Sequence, residues 1–188
     1  MGQDKAWLEV EGQALIERTL DLLAPLFDEA VVVANSDDRY TELAARRGLR
    51  LVADPPQFAG MGPLAGLLAG MDAALNDVIF LAACDLPFAS PCLAGLLLRR
   101  LQPGHDAAVP RTSDGSHPLF AAYRKSLRSE VERLLREQRL RIDLLFDDRA
   151  TAWLDEEEMR PCGDPAVLLF NMNSPAEYEE ALRKTHRL

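Results

Sequence analysis

The amino-acid sequence predicts a three-layer α/β/α protein with a doubly wound, mostly parallel sheet. Apolar stripes at helical spacing alternate along the chain with short apolar runs rich in β-branched residues. Acidic or amide side chains follow several of these runs, at the positions where parallel strands would end. The length of 188 residues and a hydrophobic share of 48% suit one packed domain over residues 1–188.

The first half of the chain predicts helices and strands in alternation. The segment of residues 13–27 carries leucine and isoleucine at helical spacing, and the valine run after it is typical of a short buried strand. Gly48 follows a second helical segment, where a left-handed residue would end the helix. The predicted helices cover residues 13–27, 37–47 and 63–75, and the predicted strands cover residues 30–34 and 49–53.

The segment from Asp77 to Asp85 predicts a strand that is buried on both faces and ends in an aspartate. Its residues are apolar or small without polar alternation, and Pro87 prevents the strand from continuing. Open α/β sheets bind ligands beyond the carboxyl ends of their strands, so Asp85 lies where a metal ion or a substrate hydroxyl would be held. The alternative is that Asp85 caps the next helix, although Ser90 followed by Pro91 is the better helix start.

The second half of the chain continues the alternation. Its last predicted helix begins with Ser174-Pro175-Ala176-Glu177, which combines an N-cap, a proline at the first helical position and a reciprocal capping glutamate. Strands separated by helices imply parallel βαβ units. We expect helices over residues 90–101 and 127–141 and from 174 onward, and extended segments over residues 106–110, 118–123 and 167–172.

Composition and charge exclude several classes of function. The formal net charge of −9 opposes non-specific binding to nucleic acids and to anionic membranes. The sequence predicts neither export nor a membrane span, and hence a cytoplasmic protein. The three cysteines, Cys84, Cys92 and Cys162, are odd in number and lack metal-ligand spacing, so we expect free thiols in a reducing cytosol.

Two segments at predicted strand ends are candidates for nucleotide binding. Asp54 follows the strand of residues 49–53. The loop Gly62-Pro63-Leu64-Ala65-Gly66 would let the backbone approach a ligand at a helix N-terminus, or would form only a tight turn and a closely packed helix. Lys5 precedes a helix, where it could reach a phosphate, although an isolated lysine is usually a solvated surface residue.

Polar residues beside two later strands are further candidates. His117 immediately precedes a strand and could contact a substrate, although a lone loop histidine is usually structural. Asn171 and Asn173 lie at the end of another predicted strand. Their amides could hydrogen-bond a heteroaromatic substrate or a phosphate, whereas helix capping accounts for Ser174.

Five motifs occur in one order along the chain and together resemble a known family. Met1-Gly2-Gln3-Asp4-Lys5 is similar to the end of the signature Leu-Ala-Gly-Gly-x-Ser-x-Arg-Met-Gly-x-Asp-Lys. This order resembles that of the molybdenum cofactor guanylyltransferases, which are MobA-like enzymes, over nearly the whole chain. The later motifs are Asp54 with the Gly62 to Gly66 loop, Cys84-Asp85-Leu86-Pro87, His117-Pro118-Leu119-Phe120 and Asn171-Met172-Asn173-Ser174-Pro175.

The resemblance implies a Rossmann-like nucleotidyltransferase that uses Mg²⁺ to transfer GMP from GTP to molybdopterin and releases pyrophosphate. Lys5 would contact the nucleotide phosphates, and Asp85 would bind Mg²⁺. Asp54 and the loop Gly62, Pro63, Leu64, Ala65 and Gly66 would line the guanine or ribose side, and Asn35 would also face the nucleotide.

The remaining candidates would serve the second substrate. Asn171 and Asn173 would lie toward molybdopterin or the metal, and Arg111 and His117 would be contacts on the substrate side. Besides GTP and molybdopterin, the implied partners are cofactor-delivery proteins or molybdoenzyme chaperones.

The resemblance also implies a strand and a glycine-rich phosphate loop ahead of Met1. We expect the coding sequence upstream of Met1 to encode a Leu-Ala-Gly-Gly-like stretch in frame. An in-frame stop codon directly upstream would contradict this expectation.

Two alternatives to the guanylyltransferase remain open at the level of sequence. One keeps the fold and changes the substrates, as in a molybdopterin cytidylyltransferase or a phosphosugar nucleotidyltransferase. The Gly-Pro-Leu-Ala-Gly loop, with Asn171 and Asn173, favours the guanylyl branch. The other is a non-catalytic module that binds a nucleotide or a partner.

Overall fold

The computed structural model describes residues 4–35, 37–147 and 149–185 as a mixed α/β fold, and Met1, Gly2 and Gln3 lie outside the described residues. The eight helices of this part are α1 (Leu15–Leu23), α2 (Asp38–Arg47), α3 (Pro63–Ala73), α4 (Pro91–Arg100), α5 (Arg128–Arg136), α6 (Glu156–Met159), α7 (Pro165–Leu168) and α8 (Pro175–Thr185). The strands of the same part are β1 (Glu9–Val10), β2 (Gln13–Ala14), β3 (Val31–Val33), β4 (Arg50–Val52), β5 (Val78–Ala82), β6 (Ala107–Thr112), β7 (Gly115–Ser116), β8 (Phe120–Arg124) and β9 (Thr151–Asp155).

The main sheet places β8 between β5 and β6, with β9 and the short β7 also paired to β6. β8 is antiparallel to both β5 and β6, whereas β9 is parallel to β6. Hence β5, β6 and β9 run in one direction, and β8 and β7 run in the other. β3 and β4 form a second, parallel ladder, and β1 and β2 form a hairpin.

Helices cover both faces of the main sheet. Successive residues of a strand point to opposite faces, so strands of apolar residues present apolar side chains on both sides. On one face, Val109 and Tyr123 pack against leucines of α3 and α5. On the other face, Ala108 and Phe120 pack against α4 and the end of α1. The predicted three-layer α/β/α class is therefore confirmed.

Local sequence signals place several helix ends where they were predicted. The Asp37 side chain accepts a hydrogen bond from the Arg39 amide and begins α2, and Gly48 ends that helix with a φ of 64°. The Ser90 hydroxyl accepts from the Leu93 amide at 3.3 Å and begins α4. These caps depend on neighbouring residues, which explains why the sequence predicts them.

The strand before Asp85 differs from its prediction in length, neighbour and burial. β5 ends at Ala82, and its hydrogen-bonded neighbour is the antiparallel β8. Val78 is exposed and the other four residues of β5 are only partly buried. β8 pairs with one edge of β5. The apolar composition of β5 predicted that its residues would be more deeply buried than they are.

The predicted strand over residues 167–172 is wrong. Asp164 accepts a hydrogen bond from the Ala166 amide at 3.1 Å, and Pro165 occupies the first position of the short helix α7. This cap and the proline start a helical turn. Leu168 and Leu169 are therefore buried as the last residue and the C-cap of α7 rather than as residues of a strand.

Two of the three cysteines form a disulfide, so the prediction of three free thiols is wrong. Cys92, at the start of α4, is bonded to Cys162, at a sequence separation of 70 and with 5.4 Å between their Cα atoms. Cys84 is free, as predicted. The fold brings the pair together from distant segments, and the cysteine content no longer argues for a reducing compartment.

Among the described residues, no helix is both long and apolar enough to cross a membrane.

Loss of the disulfide is expected to destabilise the fold. A cross-link that closes a loop of this length restricts the unfolded chain, so Cys92→Ser combined with Cys162→Ser should lower the free energy of unfolding by roughly 2–4 kcal/mol. Urea denaturation of both proteins, with and without dithiothreitol, measures the difference. Dithiothreitol should destabilise only the wild-type protein, and a wild-type midpoint that it leaves unchanged would contradict the prediction.

Candidate functional site

The segment after β5 carries Asp85 to an edge where three distant parts of the chain meet. The Ala83 amide donates to the Leu119 carbonyl at 2.8 Å, which holds this segment beside the start of β8. The Asp85 carbonyl accepts from the Met172 amide at 3.0 Å. Main-chain hydrogen bonds thus hold the backbone around Asp85 independently of the contacts of its side chain.

Lys5, Asp85 and Asn173 form one polar cluster at this edge. The Lys5 ammonium donates to Asn173 Oδ1 at 2.7 Å and lies 3.8 Å from Asp85 Oδ2. The Lys5 side chain is 32% exposed and that of Asp85 is 19% exposed. A partly buried cation and carboxylate that remain open to solvent on one side can receive an anionic ligand with a metal ion.

Asp4 and Tyr40 place Lys5 in this cluster. Asp4 Oδ1 accepts from the Ala6 amide at 3.1 Å and caps the 3-10 helix Lys5–Trp7. The Tyr40 hydroxyl donates to the other oxygen of Asp4 at 2.7 Å, so α2 holds the cap in place. Burial and the Asp4 carboxylate both raise the pKa of Tyr40, which keeps its hydroxyl protonated as the donor.

Asp85 has a free carboxylate oxygen. Its Oδ1 is buried and has no hydrogen-bond partner among the described residues. Burial raises the pKa of Asp85, and the nearby Lys5 opposes that rise. Mg²⁺ prefers oxygen ligands, keeps several waters and needs few protein carboxylates, so this orphaned oxygen fits such an ion. The described residues contain no cluster of three or more acidic, histidine or cysteine side chains that could hold a metal by themselves.

Asn35 and Asp54 form a second polar pair, at the carboxyl ends of the parallel strands β3 and β4. Asn35 Nδ2 donates to Asp54 Oδ2 at 2.8 Å, and the Asp54 amide donates to Asn35 Oδ1 at 3.1 Å. The Gly60 amide also donates to Asp54 Oδ2, at 3.3 Å. This reciprocal pair joins the two strand ends to the glycine loop and leaves Asp54 Oδ1 as a further acceptor.

The glycine loop ends at the N-terminus of α3. Gly62 precedes Pro63 with a φ of 75° and a ψ of −156°, a conformation that requires glycine. A methyl group at Gly66 would lie 4.0 Å from Val33, an ordinary contact, so close helix packing does not account for that glycine. The open first turn of α3 favours an anion or an electronegative edge of a ligand.

Comparison with known proteins identifies the family. The sequence profile described as "MobA-like NTP transferase domain" matches residues 1–150. The chain belongs to this family.

Relatives of this MobA-like protein carry names from one biosynthetic step. A "Probable molybdenum cofactor guanylyltransferase" of Pelotomaculum thermopropionicum is 34% identical over 181 residues, which are 96% of this chain and 85% of that relative. A "Molybdenum cofactor guanylyltransferase" of Desulfosudis oleivorans is 27% identical over 96% of this chain and 86% of its own length. The protein is thus a nucleotidyltransferase.

A solved structure has the same fold. The crystal structure of molybdopterin-guanine dinucleotide biosynthesis protein A from Archaeoglobus fulgidus superposes with a TM-score of 0.84 and 25% identity. The superposition covers 100% of this chain and 93% of that chain. The Rossmann-like nucleotidyltransferase fold predicted from the sequence is therefore confirmed.

His117 and Arg111 of this nucleotidyltransferase contact residues other than Lys5, Asp85 and Asn173. His117 Nε2 lies 2.8 Å from the Thr112 hydroxyl, and burial lowers the pKa of the imidazole. Arg111 pairs with Asp155 at 3.1 Å and lies over the Trp153 ring at 5.2 Å. Their predicted roles as substrate contacts stay predictions.

Sequence reasoning assigned no function to Asp4, Tyr40 or Glu177. Asp4 stands inside the first motif beside Lys5, and this position was the only signal for it. Tyr40 lies on α2 and shows its link to Asp4 only in the folded chain. Glu177 was predicted as a helix cap, and it also contacts Asn173.

Proposed function

We propose that this protein transfers GMP from GTP to molybdopterin with the help of Mg²⁺ and releases pyrophosphate. The observation that carries the proposal is the meeting of Lys5, Asn173 and the unpaired Asp85 oxygen at one edge of the sheet. The names of the two relatives support the guanylyl and molybdenum cofactor assignment. The cytoplasm as location, and delivery proteins or molybdoenzyme chaperones as partners, belong to the same proposal.

The chemistry needs charge compensation rather than a strong base. The terminal phosphate of molybdopterin is already an anion near neutral pH, because the second pKa of a phosphate monoester is about 6. One of its oxygens attacks the α-phosphorus of GTP, and the bond from that phosphorus to the bridging oxygen breaks as pyrophosphate leaves. No proton has to be removed from the nucleophile.

The residues of the cluster suit this reaction. Lys5 would bind the phosphates of GTP and offset the charge that moves to the leaving pyrophosphate. Asn173 would keep the Lys5 ammonium directed toward them. Asp85 would hold Mg²⁺, which neutralises charge on the phosphate oxygens when bound.

The Cys84 thiol beside Asp85 is poorly suited to act as a covalent nucleophile. Burial and the adjacent Asp85 carboxylate raise the pKa of the Cys84 thiol to about 11, so it remains protonated at neutral pH. Direct transfer between two phosphates is therefore the better-supported mechanism.

The Asn35–Asp54 pair and the loop from Gly62 to Gly66 would hold the base and ribose of GTP. Asp54 Oδ1 could accept a hydrogen bond from a base amide or a ribose hydroxyl. Leu64 and Ala65 follow Pro63 in the first turn of α3, at the end of the helix that favours electronegative groups.

A direct assay tests the proposal. Purified protein is incubated with molybdopterin, Mg²⁺ and either GTP or CTP, and both pyrophosphate and the dinucleotide product are measured. We expect turnover with GTP and little with CTP. Preference for CTP would instead support a cytidylyltransferase, and a folded protein that releases pyrophosphate from no nucleotide would support a non-catalytic module.

Asp54→Ala should weaken GTP binding more than it slows the reaction. The change removes the acceptor of the Asn35 and Gly60 hydrogen bonds, so the KM for GTP should rise about tenfold with kcat within a factor of about three. Steady-state kinetics at saturating molybdopterin measures both constants. Asp164→Ala, which removes the side-chain cap of α7 but no contact of Asp54, is the control, and equal KM values in the two variants would contradict the role of Asp54.

A further inference from the structure

Glu177 does more than begin a helix. Its Oε2 accepts hydrogen bonds from the Asn173 amide at 2.7 Å, the Ser174 amide at 2.8 Å and the Ser174 hydroxyl at 3.0 Å. The Glu177 amide donates back to the Ser174 hydroxyl at 3.3 Å. One carboxylate oxygen therefore fixes the backbone of two consecutive residues, and the first of them is the partner of Lys5.

The turn from Met172 to Ser174 is held at both ends. Met172 is fully buried, and its amide donates to the Asp85 carbonyl. Glu177 holds the other end through Asn173 and Ser174. Between these anchors the exposed Asn173 side chain reaches Lys5. The position of Asn173 Oδ1 thus depends on Glu177 more than on packing of its own side chain.

Helix α8 has other attachments. The Tyr178 hydroxyl donates to the Glu9 carbonyl at 2.6 Å, and Ala181 is fully buried beside Val10 and Met172. Ser174 and Pro175 supply the remaining signals for the helix start. Because α8 is anchored in these ways, the helix can stay docked when the Glu177 carboxylate is removed.

The charge of Glu177 is also maintained at this site. Hydrogen bonds from the Asn173 amide and from Ser174 lower the pKa of Glu177, and the nearby Lys5 lowers it further. A carboxylate that stays ionised is a stronger acceptor for these amides than a neutral group.

We propose that Glu177 is a positioning residue of the transfer site, which fixes Asn173 so that Asn173 directs the Lys5 ammonium toward the substrate phosphates. The kinetic part of this inference rests on the proposed function. The structural part, a link from Glu177 through Asn173 to Lys5, does not.

Chemical labelling of Lys5 tests the link without any substrate. The full chain is treated briefly with acetic anhydride, and acetylation of Lys5 is measured by peptide mass spectrometry. Loss of the hydrogen bond to Asn173 should raise the labelling rate of Lys5 about fivefold in both Asn173→Ala and Glu177→Ala. The double variant should label no faster than either single variant, because both changes break the same link.

Two control variants separate positioning from helix capping. Glu158 is the glutamate of a second capping box, with Oε2 3.1 Å from the Asp155 amide, and it lies on α6. Glu158→Gln should leave Lys5 labelling unchanged. Ser174→Ala removes the hydroxyl that accepts from the Glu177 amide and donates to Glu177 Oε2, but it keeps the bonds from the Asn173 and Ser174 amides to Glu177 Oε2. Because the bond to the Asn173 amide remains, this variant should also leave Lys5 labelling unchanged.

Several results would overturn the inference. A Glu177→Ala protein with wild-type labelling of Lys5 would do so, as would additive effects in the double variant or an equal increase in Ser174→Ala. Glu177→Gln, which is nearly isosteric, should give an intermediate rate and serves if Glu177→Ala fails to fold.

Steady-state kinetics tests whether Glu177 also affects the transfer reaction. Glu177→Ala should lower kcat about tenfold while the KM for GTP stays within a factor of about two, because a displaced group acts mainly on the reacting geometry. If the wild-type protein turns over no nucleotide, the proposed function fails, and the labelling result still decides whether Glu177 positions Lys5.

Discussion

Asp85→Asn should lower turnover by at least about a hundredfold, because the variant loses the charged oxygen that we assign to the metal. The Oδ1 atom of Asp85 is buried without a partner among the described residues, so the fold itself does not need the charge. Pyrophosphate release at saturating Mg²⁺ and GTP measures the effect. Near-normal turnover would remove Asp85 from the mechanism.

The matched control lies at the other end of the same strand. Asp77 stands just before β5, pairs with Arg124 at 3.3 Å and has a side chain that is 67% exposed. Asp77→Asn removes one negative charge, as Asp85→Asn does, and should leave turnover within a factor of about two. A comparable loss in both variants would point to net charge rather than to the site.

Asp85→Asn is expected to lower turnover but to raise the stability of the fold. Burial raises the pKa of Asp85, so the folded protein binds this proton more tightly than the unfolded chain does. The carboxyl group therefore favours folding at low pH, and this contribution is lost as the pH rises through the folded-state pKa.

Asp85→Asn lacks this pH dependence. Measured without metal, its stability relative to wild type should increase as the pH rises above the ordinary aspartate value of 3.8. At pH 7 the gain should reach at most about 1 kcal/mol, since the variant no longer holds an unpaired buried charge. Thermal melts from pH 4 to 8 with a chelator measure the difference, and a variant that becomes less stable with rising pH would contradict the assigned cause.

Lys5→Met should also reduce kcat/KM for GTP strongly, by roughly 100-fold to 1000-fold. The variant removes the cation that lies 2.7 Å from Asn173 Oδ1 and 3.8 Å from Asp85 Oδ2. Since Lys5 lowers the pKa of Asp85, its loss should also move the acid limb of the pH–rate profile to higher pH.

A second lysine variant provides the control for Lys5. Lys184 forms an ion pair with Glu180 at 3.0 Å on α8, and Lys184→Met should change kcat/KM by less than about twofold. Lys5→Arg keeps the charge with a different shape and should retain more activity than Lys5→Met. If Lys5→Met kept normal kinetics, the phosphate-binding role would be wrong.

Much of the candidate site could be predicted because its residues follow apolar strands. Asp54, Asp85 and Asn35 each stand just beyond a run that forms a strand, and the carboxyl ends of parallel strands collect ligand-binding groups. The hydrogen bonds between Asn35 and Asp54 show that two of these strand ends are neighbours. The contact of Lys5 with Asn173 could not be predicted from pattern, since the two residues are 168 positions apart in the chain.

The errors share a physical origin. Apolar composition predicted a fully covered strand before Asp85, but burial depends on what pairs and packs with it. Residues 167–172 are apolar enough for a strand, and the cap from Asp164 and Pro165 selected a helical turn instead. A disulfide between Cys92 and Cys162 requires two segments to meet, and their spacing in sequence contains no sign of it.

By itself, the sequence determined the alternation of helices and strands, most helix ends and the aspartates at strand ends. These features arise from short-range effects, namely periodic apolar faces, local capping and the φ angles open to glycine and proline. Only the tertiary structure decided that β8 lies between β5 and β6, that Cys92 meets Cys162, and that Asn173 reaches Lys5. Those contacts join residues far apart in the chain, so they depend on how all the apolar faces pack together.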